Sequence, residues 1–236
     1  LKRRASSRQE SHLLSLPHPS PVNPVPPPIL ALAAVIIGIE VLFWIGSRGL
    51  AGDTGIGWRV AAWEDYGFFP RLWAFMGETG EWSFDGLQRL ITYGFLNFGF
   101  LQAVFACVFI LAFGKFVGDI IGGARALVIF LVSSVGAAAL YGTLFPNQSF
   151  LVGSFPGAYG LLGGYTYILF LMLERADENR LQAFRLVGIL AALQLGFGIL
   201  FPGPPHWLAD LGGAFVGFLT AAAMGPGGLL RFIRRR

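Results

Sequence analysis

Six apolar runs, each long enough to cross a hydrocarbon core, leave this chain few folds to choose from. They fall at residues 29–46, 94–114, 126–145, 156–173, 184–201 and 206–224. A helix rises about 1.5 Å per residue, so roughly 20 residues span a core of about 30 Å, and the shorter runs borrow their flanks. Inside lipid every backbone amide must be satisfied within the protein, which makes each run a helix. Prolines at positions 28, 146, 202, 204, 205 and 226 mark the boundaries, where a missing amide does little harm. Only 13% of the 236 residues are charged, against about 25% in soluble domains. Six spans use about half the chain, leaving no room for a second globular domain.

The regions outside the runs add topology. Residues 1–28 carry four basic residues and seven prolines between Pro17 and Pro28, too little apolar surface to fold alone. An ordered form of this tail implies a partner. The opening residues lack the short apolar core and cleavage site of a signal peptide, so the first run is expected to be an uncleaved anchor. Thirteen of the 17 Lys and Arg residues fall on one side of the alternating spans, including Lys115, Arg125, Arg175, Arg180, Arg185 and the basic tail 225–236. Arg48, Arg59, Arg71 and Arg89 fall on the other. The positive-inside rule therefore predicts both termini in the cytoplasm, as an even span count requires. Basic edges facing anionic lipid account for the net charge of +4 without any nucleic-acid partner.

The loop 47–89 interleaves Trp58, Trp63, Trp73 and Trp82 with charges, the composition of a segment lying in the membrane interface. Glycine pairs at four-residue spacing (Gly153 with Gly157, Gly160 with Gly164, Gly213 with Gly217) would let neighbouring helices approach closely. Glu40 and Asp210 are costly within a span and are expected to face the bundle interior, a partner or water. Gln194, Ser133 and Ser134 read as interhelical hydrogen-bonding residues. The single cysteine, Cys107, permits no disulfide within the chain and no multi-cysteine metal site, and reads as a small core residue. No metal and no cofactor is expected.

Two segments carry a family resemblance. The first is Gly153-Ser154-Phe155-Pro156-Gly157-Ala158-Tyr159-Gly160-Leu161, and the second is Ala209-Asp210-Leu211-Gly212-Gly213-Ala214-Phe215-Val216-Gly217. With Leu90-Ile91-Thr92-Tyr93-Gly94 and the exit at Phe113-Gly114, they resemble the rhomboid intramembrane serine proteases over about residues 29–224. The resemblance implies an all-α membrane protein, a six-transmembrane-helix bundle over 29–224. In that register the family's nucleophilic serine falls on Phe155, its general-base histidine on Asp210, and its oxyanion-stabilising pair on Gln102 and Ala106. Every chemical position is changed while the packing glycines Gly153, Gly157, Gly160, Gly213 and Gly217 remain.

Acyl transfer by serine needs an activated hydroxyl and donors aimed at the developing oxyanion. Phe155 supplies no nucleophile and Ala106 no donor. The expectation is a pseudoprotease of the bacterial inner membrane that scaffolds other integral membrane proteins, or an accessory subunit of a larger membrane complex. The alternative is an atypical protease using a displaced dyad of Ser154 and His206, each shifted toward the same outer side. A transporter is the weakest reading, since neither an inverted repeat nor an unwound helix pair is visible.

Overall fold

The computed structural model describes residues 24–201 and 203–225. Both tail expectations, residues 1–23 of the proline-rich segment and the basic residues after 225, lie outside them. Six helices are long and apolar enough to cross a membrane. They are α1 (Pro27–Ser47), α5 (Phe100–Ile121), α6 (Gly123–Leu144), α7 (Phe155–Arg175), α8 (Arg185–Leu200, which the 3-10 turn Arg180–Phe184 extends into a span of 21 residues) and α9 (Trp207–Met224). Three short helices, α2 (Trp58–Tyr66), α3 (Pro70–Thr79) and α4 (Phe84–Thr92), fill the long first loop. An even number of spans returns the chain to the side on which it began.

The second span differs from its expected limits. Gly94 lies in a 3-10 turn (Tyr93–Phe95) and α5 begins only at Phe100, after extended backbone at Gly99. At the other end the helix runs past Gly114 to Ile121, because Lys115 and Asp119 satisfy one another across one turn at 2.7 Å. Gly122, with φ of 99°, then reverses the chain directly into α6.

The main core packs Ile29 and Ile36 of α1, Ile110 and Val117 of α5, Ile129 and Phe130 of α6, and Leu161 of α7, all fully buried. Cys107 is buried there as expected and its thiol donates to the Ala33 carbonyl at 3.7 Å. The proline-rich segment ends on its own bundle: a Cβ added at Gly123 would meet the Pro26 and Pro28 rings, and one at Gly118 would meet Pro26. This corrects the idea that such a segment finds nothing to hold it in its own chain, at least from Pro26 onward.

The first loop is anchored by polar contacts. Arg59 forms a bidentate pair with the buried Glu40 carboxylate, at 2.5 and 3.0 Å, and also donates to the Asn97 carbonyl at 3.1 Å. Glu40 thus finds its partner inside the chain. Arg89 donates to the Glu64 and Gly67 carbonyls, and Trp73 Nε1 to Thr143 of α6 at 3.0 Å. The apolar side chains of Trp58, Phe75, Trp82, Phe84 and Ile91 stay exposed, which suits a loop seated in the interface. Of the serines read as interhelical links, Ser134 Oγ bonds back to Phe130 within α6, while Ser133 Oγ is buried without a partner among the described residues.

Candidate functional site

Spans two, four and six run in the same direction, so the first turns of α5, α7 and α9 gather at one end of the bundle. The segment ahead of α7 is held there by the first loop. Leu151 pairs with Phe68 in an isolated antiparallel bridge, with backbone bonds of 2.8 and 3.0 Å. Gly153 N–H donates to the Tyr93 carbonyl at 3.2 Å, and the Asn97 side chain accepts from the Ser154 amide through Oδ1, at 3.3 Å, and donates from Nδ2 to the Ser154 hydroxyl oxygen, at 3.2 Å. Because Arg59 and Trp63 both donate to the Asn97 carbonyl, a continuous polar chain runs from Glu40 through Arg59 and Asn97 to Ser154.

Gly153 belongs to this turn and not to a helix. Its φ of 141° suits glycine alone, and a Cβ there would lie 3.1 Å from Gln102 Nε2. Its four-residue spacing to Gly157 is therefore no helix-packing pair, since α7 begins at Phe155. The other glycines do pack helices. A Cβ at Gly157 would collide with Phe130 and Ser134, and one at Gly160 with Ser133, all on α6. One at Gly213 would strike the Pro156 carbonyl, and one at Gly217 the Gly160 carbonyl. The backbones of α7 and α9 are thus in direct contact.

The structure gives each of the degenerate positions its own neighbourhood. Phe155 is half-buried at the start of α7, with its ring edge-on to Phe109 at 6.0 Å and to Tyr159 at 6.4 Å, in a cluster with Leu162, Ala214 and Val187. Gln102 Oε1 accepts from the Phe98 amide at 2.7 Å and so caps the start of α5. Ala106 is fully buried in α5. Asp210 Oδ2 accepts from Gln194 Nε2 of α8 at 2.8 Å. The positions share one end of the bundle, but no hydrogen bond or ring contact among the described residues joins Gln102, Phe155 and Asp210 to one another.

The displaced pair is likewise separated in its bonding. Ser154 is fully buried and bonded to Asn97, whereas His206 Nε2 lies 3.1 Å from Ser149 Oγ. His206 sits one residue ahead of α9, its ring stacked on Phe98 at 6.0 Å and edge-on to Tyr141 at 6.1 Å. Burial holds its imidazole below the ordinary value, in the neutral form able to accept from a hydroxyl. Sequence reasoning missed Ser149 and Asn97, since neither stands in a motif and each is recruited only by the closing of loops.

Six membrane-spanning helices, a loop folded over their ends and a fourth span seated glycine to glycine on the sixth define a polytopic helical membrane protein. The chain belongs to the rhomboid family, whose domain model, described as Rhomboid domain, matches residues 85–227. The first span and nearly all of the long loop precede that match. The comparison with curated proteins returned no match.

Proposed function

We propose that this rhomboid-family protein binds a helix of another integral membrane protein without cleaving it, as a scaffold or as an accessory subunit of a larger assembly in a bacterial inner membrane. The observation that carries this reading is Phe155: where the resemblance puts the serine nucleophile, an aromatic ring packs against Phe109 and Tyr159. A phenyl ring cannot form an acyl intermediate, and the next residue, Pro156, has no amide to offer an oxyanion. Asp210 at the base position is engaged by Gln194. Loss of even one oxyanion donor lowers a rate by about 10² to 10³, and here a donor is missing at Ala106 as well. The positive-inside bias supports cytoplasmic termini, which would put the tail 1–28 where a partner's cytoplasmic face could meet it.

A second reading is a protease that uses His206 with a serine outside the family position, and the bond between His206 Nε2 and Ser149 Oγ favours it. The candidate serines are therefore two, Ser149 and Ser154, of which Ser154 is buried and bonded to Asn97. The test is labelling with a fluorophosphonate probe and incubation with a helical membrane substrate. Neither labelling nor cleavage is expected. Labelling abolished by Ser149→Ala, or by Ser154→Ala, together with His206→Ala, would overturn the scaffold reading and name the nucleophile.

A further inference from the structure

Gln194 of α8 and Asp210 of α9 make the one side-chain hydrogen bond that joins α8 to another span among the described residues. The amide donates from Nε2 to Asp210 Oδ2 at 2.8 Å, yet its other end, Gln194 Oε1, is buried and accepts from no group among the described residues. A buried carbonyl oxygen without a donor is costly. An ionised carboxylate offers only acceptors, whereas a carboxylic acid offers one O–H. We propose that Asp210 binds a proton and donates it to Gln194 Oε1 while accepting from Nε2, so that acid and amide form a two-bond clasp closing α8 onto α9.

The described surroundings supply no cation to hold the carboxylate instead. Among the described residues Asp210 enters no salt bridge. Tyr93, in the turn before α5, and Tyr159 of α7 lie within electrostatic reach of it. The Tyr93 hydroxyl already donates to the Ser134 carbonyl at 2.8 Å. From α6 comes Tyr141, beside His206, and His206 itself, one turn ahead on the chain, bonds Ser149. On α8 the only ionisable side chain is Arg185, at the far end of the helix. On α5, Lys115 and Asp119 pair with each other near its other end.

Two effects oppose one another at this carboxyl. The free amides of the first turn of α9 favour the anion, while the waiting Gln194 oxygen, which only an O–H can satisfy, favours the acid. Loss of the proton removes one of the two bonds of the clasp. What else holds α8 is apolar contact beside a groove of about 470 Å³ between α8, α7 and α9, lined by Val187, Ala191, Leu211, Ala214 and Phe218. Rising pH therefore loosens α8 at this seam. The clasp is independent of which functional reading holds.

The test uses the full chain in lipid nanodiscs, as wild type, Asp210→Asn and Gln194→Leu. Infrared spectra should show the C=O band of a protonated carboxylic acid that is lost on alkaline titration, is missing in Asp210→Asn and shifts to higher frequency in Gln194→Leu. Spin labels at Phe197→Cys and Phe215→Cys, both exposed side chains, with Cys107→Ala as background, report the seam. The distance between them should lengthen and broaden with rising pH in wild type. In Asp210→Asn it should stay short at every pH, because an amide pair keeps both hydrogen bonds. Absence of the acid band from folded wild type, or an Asp210→Asn protein whose distances move with pH as wild type does, would overturn the proposal.

Discussion

The fourth and fifth spans stand side by side in the chain and are built in opposite ways. Of the 21 residues of α7 eleven are buried; of the 16 residues of α8, none. Helix α7 is locked to α9 by glycines whose neighbours are backbone carbonyls and to α6 by glycines that face side chains, while α8 leans on the bundle through apolar side chains and, among the described residues, one hydrogen bond. A glycine against a backbone is a rigid fit, because the obstructing atom cannot rotate away. A leucine against lipid is a soft one. The contrast shows that in a membrane an apolar helix need not be a packed helix, since lipid covers what protein leaves bare.

The largest effect expected from breaking this contrast is at Gly217. Even a single methyl group there would overlap the Gly160 carbonyl, which cannot rotate away, so Gly217→Ala should cost about 3 kcal/mol or more, at the upper end of what overpacking costs. Thermal unfolding in detergent should show a collapsed or absent transition. A wild-type melting temperature would mean that α7 and α9 are not in backbone contact.

Next is the anchor of the first loop. Removing one partner of a buried ion pair costs about 3–5 kcal/mol, and Arg59 is partly exposed, so Arg59→Ala should cost somewhat less, about 2–3 kcal/mol. Glu40→Gln keeps the geometry and should cost less again. Proteolysis of the loop 47–89 checks this: cleavage should speed up in Arg59→Ala, and an unchanged pattern would make the pair incidental. Because the same arginine reaches Asn97, and through it Ser154, the turn ahead of α7 should lose order along with the loop.

Between the two spans stands Phe155, which begins α7 and packs in one cluster with Val187 of α8. Replacing a half-buried phenyl ring by a methyl group should cost about 1–2 kcal/mol, below the 3–5 of a fully buried one. The loss should be read as a lower melting temperature with α7 intact. If Phe155→Ala instead gains a fluorophosphonate-reactive serine, the ring blocks an otherwise competent site and the scaffold reading gives way.

What was legible beforehand follows the same division. The six spans could be read because length and apolarity are properties of a segment by itself, and Gly213 and Gly217 could be read because their spacing puts both on one helical face. Gly153 misled for the same reason: four-residue spacing implies a shared face only where the chain is helical, and α7 starts two residues later. The partner of Glu40 was hidden, since Arg59 lies 19 residues away and meets it only when α2 folds back over α1. Nor could the looseness of α8 be foreseen, for a lipid-facing helix and a buried one are written in the same residues. The turn around Ser154 depends on Phe68, from a loop whose apolar pattern says only that it lies at an interface, and on Tyr93 and Asn97, from the irregular segment ahead of α5.

The smallest effect sharpens the comparison most, because it repeats the first substitution where nothing opposes it. A Cβ added at Gly188 or Gly196 of α8 meets no atom within 4 Å. Glycine in a helix interior is disfavoured relative to alanine by about 0.8–1.0 kcal/mol in water, since it gives up more backbone freedom on folding. In lipid, where the unfolded span stays helical, most of that difference vanishes. Gly188→Ala should therefore leave the melting temperature unchanged or raise it slightly, by no more than the equivalent of about 0.5 kcal/mol. The same chemical change thus has opposite consequences on α9 and α8, and the sign is set by whether a backbone stands opposite. Detergent melts of Gly188→Ala and Gly217→Ala, run side by side, measure this. A loss at Gly188 comparable to that at Gly217 would mean that α8 is packed against something as rigid as a backbone, and the loose fifth span would have to be abandoned.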